Sequence, residues 1–321
     1  MSRPIPRTPA SRAALPAVQS IAPYQPGKPI VELQRELGVQ DIVKLASNEN
    51  PLGPSPRALL ALQRELENVA LYPDGSGHAL KQALAAHLGL TPEQLLLGNG
   101  SNDVLVLLAE AYLAPGRNAV YSQYGFAIYP IAVAATGAEG REAPALSRAH
   151  AMPLGHDLNA LASRIDADTR IVFIANPNNP TGTWLPAGDL RAFIARVPED
   201  CLVVLDEAYL EYARELGGSD GVAWLPECPH LVVVRTFSKA YGLAGLRIGY
   251  AAAHPDVIDV LERLRQPFNV SSLAMAAAAA ALDDRLHLER SVAVTRAGRV
   301  QLRDGCERLG LAVLPSAGNF L

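Results

Sequence analysis

A lysine placed among hydroxyl groups and glycines is the strongest chemical candidate in the sequence. Lys239 follows the apolar run 231–234, and burial beside positive neighbours lowers a lysine's pKa, so that its amine can act as a nucleophile and form a Schiff base. Thr236, Ser238 and Arg247 add two hydroxyls and a planar cation, which together suit one phosphate group. Most lysines are solvated surface charges, so this interpretation depends on the neighbours.

Two other apolar runs also lead into polar residues. Asp206 follows the run 202–205, and a buried carboxylate needs a partner, which is either a protonated ring nitrogen or a structural arginine. Ser101 and Asn102 lie in the segment Gly-Asn-Gly-Ser-Asn-Asp, where glycines and a helix start favour an anionic group. A plain strand-to-helix turn capped by Asn102 is the alternative. The third glycine of the dinucleotide fingerprint is missing, which disfavours a nicotinamide dehydrogenase.

The next two candidates are an aromatic ring and a rigid loop. Tyr124 follows the run 119–121 and could stack on a flat ligand ring, although a core aromatic is the more common case. Asn179 lies in the segment 176–182, whose two Asn-Pro pairs exclude a helix and favour a rigid, irregular backbone. Such a loop can hold one side-chain amide in a fixed place, although an ordinary tight turn remains possible.

The elements that position these residues are short apolar runs separated by helical patterns. Continuously apolar runs are typical of strands covered on both faces, hence of a mostly parallel sheet. Alternation with helices predicts an α/β, doubly wound architecture, in which ligands bind beyond the carboxyl ends of the strands. The predicted strands lie at 95–97, 119–121, 171–174, 202–205 and 231–234. The predicted helices lie at 30–37, 57–69, 77–88, 102–111 and 276–281.

Composition narrows the function further. The net charge of −4 gives no reason to expect nucleic-acid binding. The seven histidines form no HxxxH pair, and the three cysteines lie far apart, so we expect no metal site and a reducing compartment. No apolar run reaches the roughly 20 residues that span a bilayer. These features predict a cytoplasmic protein that acts on small molecules, not at a membrane.

Taken together, the predicted strand ends offer a lysine, a carboxylate, an amide, an aromatic ring and a phosphate cradle. Pyridoxal 5'-phosphate requires such a set: an amine for its aldehyde, an acid for its pyridine nitrogen, a donor for its ring hydroxyl and a phosphate site. Asp206 and Lys239 are separated by enough chain for one helix and one strand. Both can therefore face one crevice.

The motifs also carry a family resemblance. The segments 176–182, 206–209 and 238–247 resemble the fingerprint of class I/II pyridoxal-phosphate aminotransferases, which have fold type I. The segments 23–27, 47–55, 71–74 and 238–247 resemble the histidinol-phosphate aminotransferase branch of that family. This resemblance implies transamination from histidinol phosphate and 2-oxoglutarate to imidazole-acetol phosphate and glutamate, a step of histidine biosynthesis. A related aromatic aminotransferase, a threonine-phosphate decarboxylase and an inactive truncated homologue are the alternatives.

The resemblance assigns a role to each candidate residue. It implies that Lys239 holds the cofactor's aldehyde and moves the substrate proton, and that Asp206 keeps the pyridine nitrogen protonated. Asn179 and Tyr209 would hydrogen-bond the ring hydroxyl, Asn179 would also contact substrate, and Tyr124 would stack on the ring. The implied phosphate ligands are Ser101, Asn102, Thr236, Ser238 and Arg247.

The resemblance further implies a homodimer with shared active sites. Tyr72 would reach the cofactor phosphate of the other subunit, and Tyr24 would cover the partner's substrate pocket. The expected substrates are an amino acid and a phosphorylated keto compound.

The resemblance and the chain's end together predict the domain organisation. We expect a flexible arm at 1–29, part of a small domain at 30–50, a large cofactor domain at 51–265 and a smaller α+β domain at 266–321. The segments 312–314 and 319–321 look like strands. Family members continue past this point to an arginine that binds the amino donor's carboxylate, so we expect the small domain to be C-terminally truncated.

Overall fold

The computed structural model of the chain describes residues 9–25 and 27–321, and its centre is a seven-stranded sheet. The strands are β1 (Leu95–Gly98), β2 (Asn118–Ser122), β3 (Glu139–Ala143), β4 (Thr169–Ala175), β5 (Leu202–Asp206), β6 (Leu231–Thr236) and β7 (Gly249–Ala253). Their order is β1-β7-β6-β5-β4-β2-β3. Strand β7 pairs antiparallel with both β1 and β6, and the other four pairs are parallel. The predicted α/β fold with a mostly parallel sheet is confirmed.

The helices lie before, between and after the strands. Those before β2 are α1 (Pro9–Arg12), α2 (Pro16–Gln19), α3 (Ile30–Leu37), α4 (Pro56–Glu65), α5 (His78–Leu88) and α6 (Ser101–Tyr112). Those between β2 and β6 are α7 (Ile128–Ala135), α8 (Leu158–Ser163), α9 (Ala187–Ile194) and α10 (Leu210–Ala213). The last are α11 (Pro255–Glu262), α12 (Ser272–Leu282) and α13 (Arg285–Arg308). Short 3-10 helices cover Leu66–Asn68, Pro92–Gln94, Arg214–Leu216, Gly221–Trp224 and Ala244–Leu246.

The strands divide their apolar side chains between two cores, one on each face of the sheet. In β5, Val203 and Leu205 contribute to the first core, whereas Leu202 and Val204 contribute to the second, because successive side chains of a strand point to opposite faces. Helices α5, α9 and α12 cover the first core, and α6, α7 and α11 cover the second. Cover on both faces explains why these strands are continuously apolar.

The five predicted strands are confirmed as β1, β2, β4, β5 and β6, but sequence reasoning missed β3 and β7. Strand β3 is a polar, largely exposed strand at the sheet edge, so it lacks the apolar signal. Strand β7 is fully buried, but its sequence is Gly-Tyr-Ala-Ala-Ala. Alanine and glycine have low β propensity, so tertiary packing between β1 and β6 determines this strand.

The five predicted helices are also confirmed, as α3, α4, α5, α6 and α12. The predicted strands at 312–314 and 319–321 are wrong, since both segments are irregular and neither pairs with another strand within the described residues. A strand is stable only when its backbone groups meet a partner. No helix in the described part of the chain is long and apolar enough to cross a bilayer.

Part of the predicted arm lies outside the described residues, namely 1–8 and Pro26, which belongs to the predicted turn at 24–27. The described part of the arm contains the short helices α1 and α2.

Candidate active site

A cavity of about 580 Å³ opens where the parallel strands end. Ala175 at the end of β4 pairs with Asp206 at the end of β5, and Thr236 ends the neighbouring strand β6. The predicted site residues that line the cavity are Tyr24, Ser101, Asn102, Asn179, Asp206, Tyr209, Thr236, Ser238, Lys239 and Arg247. The sheet edge therefore brings together residues that are more than 200 positions apart in sequence.

Lys239 lies just beyond β6, and its amine is directed into this cavity. Its Nζ donates to the backbone oxygen of Ser47 at 3.2 Å and lies 5.7 Å from the centre of the Tyr209 ring. Burial, reinforced by the positive charge of Arg247, lowers the pKa of Lys239 to about 8. A small but useful fraction of the amine is therefore neutral, and so nucleophilic, near neutral pH.

Asp206 is the last residue of β5 and is only 5% exposed. Its Oδ2 accepts a hydrogen bond from the Tyr129 hydroxyl at 3.0 Å, and its Oδ1 accepts one from the Ala208 amide at 3.2 Å. Burial raises the pKa of Asp206 to about 6, although these two donors and Lys239 act in the opposite direction. The carboxylate is thus ionised at neutral pH at a cost that a nearby cation would relieve.

The alternative of a structural arginine applies to the neighbouring residue instead. Glu207 points to the opposite face of the sheet, where Arg235 donates to its Oε2 from Nε at 2.9 Å and from Nη2 at 2.7 Å. Among the described residues Asp206 takes part in no salt bridge within 4.0 Å. Asp206 therefore retains the capacity to bind a positively charged ring nitrogen.

A candidate phosphate cradle lies where β1 leads into α6. Gly100, with φ of 83°, immediately precedes α6, and a Cβ atom at this position would collide with the guanidinium of Arg247. The hydroxyl of Thr236 donates to Ser238 Oγ at 2.9 Å, and Arg247 Nη1 donates to the same Oγ at 3.4 Å. Two hydroxyls, a guanidinium and the free N–H groups of a twelve-residue helix converge here, a set suited to an anion.

The same cradle has polar capacity that the chain itself does not satisfy. The Oδ1 atom of Asn102 is buried without a hydrogen-bond partner in the described structure. Buried polar atoms normally have partners, so an unpaired one in a cavity indicates a place for a bound group. Because an amide oxygen only accepts hydrogen bonds, this atom suits a donor group of a ligand. The hydroxyls, the guanidinium and the helix N–H groups are the donors that fit the phosphate of pyridoxal phosphate.

Tyr209 and Asn179 approach the cavity from two loops. Burial raises the pKa of Tyr209 to about 12, so its hydroxyl stays protonated and accepts a hydrogen bond from Asn48 Nδ2 at 3.0 Å. In the loop at 176–182, the side chains of Asn176 and Asn178 bond to Leu185 and Thr181. Asn179 makes no such bond within the described residues, so its amide is available to a ligand.

Two predicted residues lie outside the cavity lining. Phe126, not Tyr124, is the aromatic residue of its segment that lines the cavity, and the Tyr124 backbone oxygen accepts from Asn178 Nδ2 at 2.8 Å. Tyr72 is 83% exposed and stacks on Phe268 with ring centres 4.8 Å apart. Their cofactor contacts stay predictions.

Sequence reasoning missed three residues that support the site: Ser47, Asn48 and Tyr129. Ser47 and Asn48 have φ of 71° and 53°, a left-handed backbone that costs roughly 1–2 kcal/mol per residue. Such strain often occurs at functional sites. The proline-rich segment around them was a signal of rigid backbone, but its contact with Lys239 depends on tertiary structure.

Comparison with known proteins gives the family and the relatives of this chain. The family model for aminotransferase class I and II matches residues 40–321. The chain is 57% identical to histidinol-phosphate aminotransferase 2 of Methylococcus capsulatus, over 96% of this chain and 83% of that one. It is also 57% identical to histidinol-phosphate aminotransferase 1 of Thiobacillus denitrificans, over 96% of this chain and 79% of that one. Among solved structures, histidinol-phosphate aminotransferase from Sinorhizobium meliloti in complex with pyridoxal-5'-phosphate has a TM-score of 0.87 at 33% identity, covering 96% of this chain and 82% of that one.

Proposed function

Since the chain belongs to the class I and II aminotransferases, we propose that it transfers an amino group from histidinol phosphate to 2-oxoglutarate, giving imidazole-acetol phosphate and glutamate. It is an aminotransferase that uses pyridoxal phosphate, as its family does. The choice of substrate rests on one observation, the 57% identity to relatives named histidinol-phosphate aminotransferase. The reaction belongs to histidine biosynthesis.

The residues around the cavity support most of the predicted cofactor contacts, although Tyr124, the predicted ring-stacking residue, does not line it. When bound, pyridoxal phosphate supplies an electron sink for the substrate's α-carbon. Asp206 would hold the proton on the pyridine nitrogen, and Asn179 and Tyr209 would hold the ring hydroxyl. The residues that would bind the phosphate are Ser101, Asn102, Thr236, Ser238 and Arg247. Each of these residues lines the cavity.

Lys239 is the residue proposed to move protons. Its amine would hold the cofactor through its aldehyde carbon in the absence of substrate and would accept the proton of the substrate's α-carbon when free. An acid–base group works best when its pKa lies near the working pH, and the pKa of Lys239 is lowered to about 8. The Ser47 backbone oxygen holds this amine inside the cavity.

The assembly and the domain division belong to the same proposal. We propose a cytoplasmic homodimer in which Tyr72 reaches the partner's cofactor phosphate. Tyr24 lines the cavity of its own chain in a single copy and is proposed to cover the partner's substrate in the dimer. We also propose the division into an arm at 1–29, small-domain segments at 30–50 and 266–321, and a cofactor domain at 51–265.

The test is an activity assay with defined substrates. Purified protein with pyridoxal phosphate should form glutamate from histidinol phosphate and 2-oxoglutarate, and borohydride should fix the cofactor on Lys239. Lys239→Ala should lose both properties, with activity down by more than about a thousandfold, while Lys81→Ala should keep them. Preferred turnover of aromatic amino acids, or release of carbon dioxide from threonine phosphate, would replace this substrate assignment. Absence of a reducible adduct in the wild type would contradict the cofactor role of Lys239.

A further inference from the structure

One buried hydroxyl next to the candidate site has no role in the family assignments above. Tyr129, on α7, is only 1% exposed. Its ring stacks in parallel on Phe173 of β4, with centres 4.8 Å apart and planes 8° apart, and meets Phe126 edge-on at 5.8 Å. Two aromatic contacts fix the ring, so the direction of its hydroxyl is fixed as well.

The Tyr129 hydroxyl ends on the Asp206 carboxylate, with 3.0 Å between Oη and Oδ2. Burial and the adjacent carboxylate raise the pKa of Tyr129 well above its usual value, so this oxygen always carries its proton and always donates. The Ala208 amide donates to the other carboxylate oxygen at 3.2 Å. Two donors from different elements therefore define the plane of the carboxylate and favour its ionised form.

We propose that Tyr129 is a positioning residue that orients Asp206 toward the cofactor's ring nitrogen and keeps it ionised. The inference rests on the proposed function, because it concerns the same carboxylate. Tyr129 contacts neither substrate nor cofactor in this role and acts only through Asp206. A hydrogen bond to a buried charge contributes more than one between neutral groups, so deletion of one hydroxyl should have a measurable effect on cofactor binding.

The ionisable groups facing Asp206 come from three elements: Tyr129 from α7, Tyr209 from the segment after β5, and Lys239 from the segment after β6. Tyr209 also stays protonated, since its pKa is raised to about 12. Loss of the Tyr129 donor would raise the pKa of Asp206 above its value of about 6. Cofactor affinity requires the ionised carboxylate. As the pH falls, affinity would therefore begin to decline at a higher pH than in the wild type.

The experiment measures cofactor affinity, not activity. Apoprotein is titrated with pyridoxal phosphate between pH 5.5 and 8.5 for the wild type, Tyr129→Phe, Asp206→Asn and the double variant. Tyr129→Phe keeps the ring and removes only the hydroxyl. Tyr121→Phe on β2, which removes a tyrosine hydroxyl from a residue outside the cavity lining, is the matched control. Thermal midpoints of all apoproteins show that the variants are folded.

We expect Tyr129→Phe to bind the cofactor about 10- to 100-fold more weakly at pH 7.5. Its affinity should begin to fall at a higher pH than that of the wild type as the solution is acidified. Tyr121→Phe should match the wild type. In the Asp206→Asn background the same change should alter affinity by less than about threefold, because Tyr129 acts only through the Asp206 carboxylate. Two independent residues would instead show the full loss in both backgrounds. An equal loss in both backgrounds, or no loss in either, would overturn the positioning role.

If Tyr129→Phe does not fold, Phe173→Leu replaces it and must show the same dependence on Asp206. A wild type that binds no cofactor overturns the proposed function instead.

Discussion

At the scale of single residues, the adjacent carboxylates Asp206 and Glu207 at the end of β5 have different surroundings. Because they point to opposite faces, Glu207 meets Arg235 and the Gly221 amide, which satisfy it completely. Asp206 meets one hydroxyl and one amide. Burial raises the pKa of Asp206 to about 6 and the pKa of Glu207 to about 7. Only Asp206 faces a cavity in which a bound cation can offset that cost.

The buried amine of Lys239 should lower the stability of the cofactor-free protein. Its pKa is lowered to about 8, so between this value and that of the unfolded chain, about 10.4, the unfolded state binds more protons than the folded state. Stability of the wild type therefore rises with pH across this window and is lowest below it. Replacement of the amine by an apolar side chain should remove this dependence.

We accordingly expect Lys239→Met to stabilise the apoprotein by about 1–3 kcal/mol at pH 7 and by much less at pH 10, measured by urea unfolding. Lys81→Met, which breaks an ion pair with Glu262, is the control and should give no stabilisation. If Lys239→Met raised the free energy of unfolding equally at both pH values, burial of the charged amine would not be what destabilises the wild type.

Residue-scale reasoning identified side chains that line the cavity where local sequence carries the signal, and the roles of these residues stay predictions. Lys239 lies among hydroxyls and glycines, and Asp206 ends an apolar run, so both were predictable. Tyr129 and Asn48 were missed because their partners, Asp206 and Tyr209, are 77 and 161 positions away. Nothing in the local sequence distinguishes Tyr129 from an ordinary core aromatic.

At the scale of elements, the turn from β1 into α6 has a backbone that leaves room for the side chain of Arg247. Gly100 has a left-handed φ of 83° and leaves the space that the Arg247 guanidinium fills. Gly116 has a similar φ of 89°, but a Cβ atom there would meet nothing within 4 Å. The two glycines therefore share a left-handed backbone, but only at Gly100 would a side chain collide with Arg247.

Gly100→Ala should weaken binding of pyridoxal phosphate by about tenfold or more, since a charge-assisted contact is worth roughly 1.5–3 kcal/mol. Binding of pyridoxal, which lacks the phosphate, should change much less. Gly116→Ala should lose stability, because alanine is disfavoured at positive φ, but should keep cofactor affinity. The measurement is titration of each apoprotein with both compounds. Equal losses for the two compounds would contradict a phosphate cradle at Gly100.

Element-scale prediction worked where the apolar pattern matched the burial. The runs that became β4, β5 and β6 are buried on both faces, so their continuous apolar character identified them. Strand β7 consists of small residues, and only its position between β1 and β6 makes it a strand. The apolar segment 312–314 looked like a strand for the same local reason but found no partner within the described chain. Pairing, which sequence alone does not reveal, decides such cases.

At the scale of the whole molecule, a group of exposed apolar side chains supports the proposed dimer. It covers the outer side of α4 and the segment that leads to Tyr72. Its members are Leu59, Leu60, Leu66, Val69, Leu71 and Tyr72, all at least 45% exposed. Exposed apolar patches of this kind often mark protein–protein interfaces, and a second copy of the chain is the partner that the family relationship supports. In that arrangement Tyr72 belongs functionally to the other subunit's site.

A shared site can be tested by mixing two inactive variants. Lys239→Ala lacks the catalytic amine, and Tyr72→Ala lacks the side chain proposed to reach the partner. In a heterodimer, the cavity of the Tyr72→Ala subunit has its own Lys239 and receives Tyr72 from its partner, so one site in the pair is intact. Random reassortment should therefore restore about a quarter of wild-type activity, because half of the dimers are mixed and each has one intact site. Recovery should require subunit exchange, which is monitored by co-purification of untagged Tyr72→Ala with affinity-tagged Lys239→Ala. If each cavity used its own Tyr72, mixing would restore no activity beyond that of the separate variants.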